Sequence, residues 1–473
     1  MTILNWLKSS STLFVLGIMF APAIAQADSL STWTELTGET AEQHAGKVVI
    51  LGDINADGYD DFAIAAPYDD TAGTDAGAVY LYYGDATAIT SGSVASAIKI
   101  TGEAAGDYLG LSLAGLGDVN NDGYDDFAIG APYNDAAGTD AGAIYLLYGK
   151  ALPYRSANLG IRRKITGEAS GDGLGRGLVG AGDVNGDGYS DILTSAPSND
   201  DGGTSAGAAY IIYGHCMRIK AGSISRFREF TGAAEIDLVS AVGSAGDVNG
   251  DGFDDILIGA SGASGASDAG AAYLLYGRPA KLPSSSLSSA VTFSGVSYLS
   301  STGHVVTGVG DLNADGYDDF IISAYAAEST GLSNNGEVFL FYGQGTDFTS
   351  QPTTNGVVFT GVSSDDFAGQ TLAAVGDVNA DGYDDFMIGA PNTDTAGSNA
   401  GSTYLIYGQA SALSSSSLST WTEYTGENAG DGAGYSITGN GDINGDGTPD
   451  VLIGSDQNDD GGSGAGAVYL YYF

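Results

Sequence analysis

The sequence predicts an all-β fold, a seven-bladed β-propeller of four-stranded antiparallel blades. Three observations lead there. One nine-residue motif recurs seven times at nearly constant spacing. Each copy sits among short β-branched and aromatic runs bounded by Gly, Asn and Asp, the mark of strands joined by tight turns. Outside the N-terminal apolar segment, no stretch carries sustained 3.6-residue periodicity.

The motif first reads Asp53-Ile-Asn55-Ala-Asp57-Gly58-Tyr59-Asp60-Asp61. It returns from Asp118, Asp183, Asp247, Asp311, Asp377 and Asp442, with first positions 64 to 66 residues apart. Around it each unit repeats one order of parts. Thr101-Gly102-Glu103 ends one strand, and a Gly-rich stretch such as Leu109-Gly110 leads to the next. The Asp loop follows, then an alternating run such as Asp126-Phe127-Ala-Ile129-Gly-Ala131-Pro132. A polar turn leads to the Tyr-rich strand Ala143-Ile144-Tyr145-Leu146. Four strands per unit, seven times over, fit propeller blades. The run Thr32–Gly38 matches Thr420–Gly426, which follows the sixth Tyr-rich strand, while 467–473 is a Tyr-rich strand with no such run after it. Pairing 32–38 with 467–473 would therefore close the ring and leave no open edge.

Composition narrows the function. The chain of 473 residues has a formal net charge of −43, with 47 Asp against 11 Glu. Such a field repels phosphate, which excludes a nucleic-acid partner. A hydrophobic fraction of 43% argues against disorder. The N-terminus, with Lys8 ahead of the apolar run Leu13–Phe20 and the small residues Ala23, Ala25 and Ala27, reads as a secretory signal. Residues 1–27 are assigned to that signal and 28–473 to the propeller. No other run is apolar enough to span a bilayer. The expected location is extracellular, with the periplasm or cell surface as variants. Cys216 stands alone, so no internal disulfide can form, and bound metal is the alternative stabiliser.

The loops supply such a site. Position 1 is Asp53, Asp118, Asp183, Asp247, Asp311, Asp377 and Asp442, and position 3 is Asn55, Asn120, Asn185, Asn249, Asn313, Asn379 and Asn444. Position 5 is Asp57, Asp122, Asp187, Asp251, Asp315, Asp381 and Asp446, always followed by Gly. Position 9 is Asp61, Asp126, Asp191, Asp255, Asp319, Asp385 and Asp450. Position 7 would lend a backbone carbonyl, from Tyr59, Tyr124, Tyr189, Phe253, Tyr317, Tyr383 and Thr448. Oxygen donors at every second position, with a glycine turn, wrap a hard cation, and Ca²⁺ suits this donor set better than Mg²⁺. A metal-free Asx turn would not need five fixed positions in seven copies. The loop opens like an EF-hand but lacks its twelfth-position Glu. Ile64, Ile129 and their equivalents stand there, so the ninth residue closes the site. About seven Ca²⁺ would move the net charge from −43 to roughly −29.

The Asp-x-Asn-x-Asp-Gly-x-x-Asp loop, followed by an apolar strand and Gly130-Ala131-Pro132 or Gly389-Ala390-Pro391, resembles the FG-GAP repeats of integrin α-subunit N-terminal propellers. The Phe-Gly half is altered, with Leu109-Gly110 and Leu174-Gly175 its nearest forms. The resemblance implies structural Ca²⁺ in the loops, a ligand surface on the opposite face, and a part in adhesion. It adds no enzyme. His44, His215 and His304 stand at different points of the repeat, and no phosphate loop or nucleophile elbow is present. The expected activity is therefore an extracellular binding or adhesion module for a protein or glycan. The alternatives are a secreted hydrolase or lyase with its site on the loop face or in the central pore, and a scaffold for a surface assembly. One further expectation concerns a basic cluster on the outer rim, Arg162, Arg163, Lys164, Arg218, Lys220, Arg226 and Arg228, which could meet an anionic surface or simply discourage edge pairing.

Overall fold

The computed structural model describes residues 27–159, 163–263, 269–329 and 331–473. Residues 1–26 of the segment read as a secretory signal, and Arg162, lie outside these. The architecture is a seven-bladed propeller. In the first blade the strands run, from the axis outward, Lys47–Gly52, Asp61–Ala66, Ala78–Tyr82 and Ile98–Thr101, each antiparallel to the next. The other six blades repeat this order. Among the described residues no helix is long and apolar enough to cross a membrane.

The second strand of every blade is buried along all six residues, as in Asp61–Ala66 and Asp126–Ala131. It has neighbours in its own sheet on both sides and an adjacent blade on both faces. That explains its near-continuous apolar sequence. The core is divided accordingly into seven clusters. Each is made by two neighbouring blades, such as Val79 and Leu81 against Phe127 and Tyr145. The seventh cluster joins last blade to first, through Leu36, Val468 and Leu470 against Val48 and Phe62.

Ring closure is as the terminal sequences imply. Thr34–Thr37 pairs antiparallel with Ala467–Tyr471, with Thr34 opposite Leu470 and Thr37 opposite Ala467. Trp33 fastens this joint, its ring 5.1 Å from that of Tyr424 and 4.7 Å from that of Tyr471.

Each sheet also carries a short fifth strand that the sequence pattern does not reveal. Gly92–Ser93, on the way into the fourth strand of the first blade, pairs in parallel with Leu36–Thr37 of the seventh. Ala157–Asn158 does the same for the first blade and Gly222–Ser223 for the second. A two-residue strand is too short to show alternation, which needs about four residues. A 3₁₀ turn follows most of these pairings, and in five of six such turns a Ser Oγ at the cap accepts an N–H two residues on.

Tyrosines tie neighbouring blades further. The hydroxyls of Tyr83, Tyr148, Tyr213, Tyr342 and Tyr472 accept N–H bonds from Tyr154, Ile219, Leu282, Leu413 and Ile89, at 2.7–3.0 Å. These bonds cross a blade junction, which accounts for part of the chain's 28 Tyr.

Leu36 is 2% exposed and reaches the cluster between the last and first blades. Leu36→Ala is expected to destabilise the protein by about 2–5 kcal/mol. Denaturant melts would measure it, and a loss well under 1 kcal/mol would contradict the closure described here.

Candidate metal centres

All seven Asp loops join an innermost strand to a second strand, so they share one face. The turn is set by two left-handed residues. Position 6 is Gly with φ between 85° and 94° in every copy, and position 4 has φ between 54° and 73°. A Cβ at Gly58 would meet nothing within 4 Å. Backbone conformation, not space, therefore demands glycine there.

The first Asp organises the turn. Its two oxygens accept the N–H groups of positions 5 and 6, at 3.1 and 2.8 Å for Asp53 and within 0.1 Å or so of this in several copies. In six copies the fifth-position Asp accepts the N–H of position 7, as Asp57 does from Tyr59 at 3.2 Å. These bonds hold positions 1 and 5 on the inside of the turn.

The ninth Asp lies at the root of the loop and is at most 1% exposed in every blade. Asp61 accepts from Ile54 N–H at 3.1 Å and from Gly84 N–H, beyond the third strand, at 2.9 Å. The Gly bond recurs at Gly149, Gly214, Gly277, Gly343 and Gly408. Burial pushes these carboxyls up, helped by the nearby first and fifth Asp and opposed by the N–H bonds. Asp61, Asp255 and Asp319 rise to about 8, and Asp126, Asp191, Asp385 and Asp450 to about 7.

The third-position Asn is variable in aim. Asn120 and Asn185 donate to the ninth Asp, whereas Asn249, Asn313 and Asn444 donate to the fifth. Asn55 Oδ1 is buried with no hydrogen-bond partner. It belongs to the predicted donor set. An unpaired buried oxygen is what a cation site leaves when described without its ion, so the residues fit a hard cation.

Position 8 was not expected to act, and it does. Asp125 Oδ2 accepts the N–H of Asp53 in the neighbouring blade at 2.9 Å. Asp254, Asp318, Asp384 and Asp60 repeat this toward Asp183, Asp247, Asp311 and Asp442. Ser190 and Pro449 stand at the other two junctions. The signal was present in the sequence as five Asp in seven copies.

A second acidic feature lies elsewhere and was also missed. Glu35, Glu427 and Asp460 come together with carboxylate oxygens within 4.8 Å, as do Glu168, Asp201 and Glu229. Corresponding positions of the first two blades hold ion pairs instead. Lys99 Nζ lies 2.7 Å from Glu39 and 2.9 Å from Asp69, and Lys164 Nζ lies 2.6 Å from Glu103. Without a lysine, Glu35 and Glu229 are pushed up to about 7, by burial first and the neighbouring acids next.

The basic residues divide. Arg163, Arg218, Lys220, Arg226 and Arg228 sit at the outer rim of the second and third blades, but Lys164 turns inward to Glu103. Arg218 packs over the Tyr148 ring at 4.9 Å, and Arg226 over that of Phe227 at 4.7 Å. The three histidines stay apart. His44 bonds to Asp456 O, His215 to Met217 N–H, and His304 packs on Tyr325. Cys216 is exposed.

The family model described as "FG-GAP repeat" matches residues 43–82, 109–147, 176–212, 240–275, 305–341, 368–406 and 433–471. These are the three inner strands of the seven blades, and together they are more than half of the chain. The chain belongs to the FG-GAP repeat family. The FG-GAP repeats here are similar to those of integrin alpha-PS2 of Drosophila melanogaster, 33% identical over 181 residues, and of integrin alpha-7 of Homo sapiens, 32% identical over 172 residues. These matches cover 37% and 34% of this chain but only 12% and 13% of the two integrins. Among solved structures, the V. cholerae biofilm matrix protein Bap1 aligns over 94% of this chain and 90% of its own, at 11% identity and a TM-score of 0.32, a likeness too slight to build on.

Two outcomes test the electrostatics of these FG-GAP loops and their surroundings. In the folded, metal-free chain the ninth-position carboxyls keep protons to about pH 7–8, whereas in the unfolded chain they lose them near 3.8. Their contribution to stability is thus full below about pH 4 and lost as pH rises through 7 to 8. In EDTA the melting temperature should fall between pH 4 and 8, and a steady rise would contradict the burial described. Separately, Glu229→Lys should recreate the ion pair of the first blade and raise the melting temperature by about 1–2 °C, from a gain near 1 kcal/mol. Calorimetric scans of both proteins would show it, and a lower melting temperature would count against the correspondence.

Proposed function

We propose that the seven loops hold Ca²⁺ and that the chain acts outside the cell as a binding or adhesion module. The observation that carries the metal reading is the sevenfold repetition of one oxygen-rich turn with buried carboxylates at its root. In each loop the donors would be the side chains of positions 1, 3, 5 and 9 and the carbonyl of position 7. The cation would supply the positive charge that the ninth Asp lacks among its neighbours, keeping it ionised at neutral pH. Its role is structural, since the loops join the two inner strands of each blade.

Several features support the binding reading. The chain is an FG-GAP repeat protein similar to integrin α-subunits, whose propellers take part in adhesion. The face opposite the Asp loops is built from two sets of loops that bond to each other. Gly102 N–H reaches Gly77 O, Gly106 N–H reaches Thr74 O, and Tyr108 N–H reaches Asp75 O. Such loops on a rigid scaffold can vary without harm to the fold. The apolar N-terminal segment supports export. A protein or glycan is the expected partner, and the basic rim remains a candidate contact for an anionic surface.

Equilibrium dialysis after chelation should recover about seven Ca²⁺ per chain, and removal of Ca²⁺ should lower the melting temperature by 10 °C or more, by roughly the linkage of several occupied sites. Replacing Asp183 and Asp187 by Asn should cost one ion and leave the others. Melting that is indifferent to Ca²⁺ would overturn the metal reading. Surfaces coated with the Ca²⁺-loaded chain should retain cells or glycans better than the chelated chain, and equal retention would remove the support for adhesion.

A further inference from the structure

The central channel breaks the sevenfold repetition that the Asp loops keep. Seven residues before the first Asp of each loop, the chain places Gly46, Leu111, Arg176, Ser240, His304, Gln370 and Tyr435. No two are alike. All but Gly46 line one cavity of about 680 Å³, and Lys47, next to Gly46, lines it with them. These positions begin the innermost strands, whereas the Asp loops follow the ends of those strands. The cavity therefore opens at the face opposite the loops.

Two positions further along, the same strands contribute Leu113, Leu178, Val242, Val306, Leu372 and Ile437 to the cavity. This aliphatic collar forms its floor. The polar ring above it thus rests on an apolar surface, where a charge is poorly solvated and an opposite charge is strongly attracted.

The charges in that ring have one sign. Lys47 and Arg176 have no carboxylate within ion-pair distance among the described residues, in a protein with 58 acidic side chains. Burial, and then Arg176, holds Lys47 below the usual lysine range, and the same two causes lower His304. Two cations without a counter-charge at a poorly solvated site favour an anion that completes them.

Aromatic rings surround this centre. Tyr435 is 36% exposed, and Tyr68 and Tyr133 are each 42% exposed. His44, Tyr68, Tyr108 and Tyr133 form an edge-to-face series with centroids 4.9, 5.4 and 5.3 Å apart. The series leads back to the cations, because Tyr133 and Arg176 share a second cavity of about 160 Å³. On the far side His304 packs on Tyr325 at 4.3 Å. Exposed rings that are not spent on the core, beside hydroxyl and amide groups of Ser240 and Gln370, suit a ligand with both C–H faces and hydroxyls.

We infer that this channel mouth binds the carboxylate of an acidic sugar, with the Arg176 guanidinium and Lys47 ammonium on the carboxylate and the tyrosine rings against the sugar. A planar guanidinium matches a carboxylate with two parallel N–H bonds. A singly charged group fits better than a polyvalent one, because the acidic molecule repels each added charge. The inference deepens the binding reading above and rests on it, but it does not depend on metal in the loops.

The test is calorimetric titration of the Ca²⁺-loaded full chain, freed of excess Ca²⁺, with a glucuronate-containing tetrasaccharide. Its carboxyl-methylated form and a hexaglutamate peptide serve as comparisons. The acidic tetrasaccharide should bind at least tenfold more tightly than either. Arg176→Gln and Lys47→Met should each weaken it at least tenfold, whereas Arg155→Ala, at an exposed position away from the channel, should not change it. Because each replacement relieves like-charge repulsion, the variants should melt no lower than the parent, which separates lost binding from lost folding. Equal binding of the methylated sugar, no effect of either variant, or no binding at all would overturn the inference. Tighter binding of the peptide would overturn the assignment to a sugar. None of these results touches the calcium count, which tests the metal reading separately.

Discussion

A buried carboxylate at the root of each loop is the constraint around which the molecule is arranged. Asp61 and its six equivalents are almost fully shielded from water, yet each lies beside two further Asp. Backbone N–H groups from the loop and from beyond the third strand meet its oxygens, so it joins three segments of its blade. It must either keep a proton or face a cation. The seventh copy shows what the bonds contribute. Phe473 stands where other blades have the donating Gly, and Asp450 Oδ1 is left without a partner.

Neighbouring blades are joined at three radii. Near the axis, the eighth residue of five loops accepts a backbone N–H from the preceding loop. In the middle, apolar side chains from facing sheets form the seven core clusters. Toward the rim, a short parallel strand crosses every junction and a Tyr hydroxyl crosses most of them. The small residues of the second strands, as in Asp126-Phe-Ala-Ile-Gly-Ala131, let the sheets approach closely enough for all three. Gly130 shows how close: a Cβ there would lie 2.3 Å from Gly175 O.

The parts legible in the sequence are those that repeat. Strand number, blade number and the donor positions follow from one motif at fixed spacing, and the closing strand follows from the match of Trp33 to Trp421. What escaped detection was either too short or depended on the partner across a junction. Gly92–Ser93 is two residues long. The bond from Asp125 to Asp53 joins residues 72 apart, and nothing local marks it. Lys164 was grouped with its basic neighbours in sequence, but strand alternation turns it inward to Glu103 while Arg163 faces out. The channel mouth was invisible for a related reason. Its residues are brought together only by the ring, and each is ordinary in its own blade.

The closing joint also bears on how the protein is made. Thr37 is opposite Ala467, so the strand that begins the propeller meets Gly92–Ser93 early but finds its antiparallel partner only when the seventh blade has emerged. Until then Trp33 lacks Tyr471 and Leu36 lacks Val468 and Leu470, and the last sheet has an open edge. Six blades can assemble in order as they are synthesised, but the seventh cannot. Completion is thus a single late event that couples the first strand of the ring to its last blade. A nascent chain cut short before that point would lack the joint and expose a strand edge able to pair with another copy.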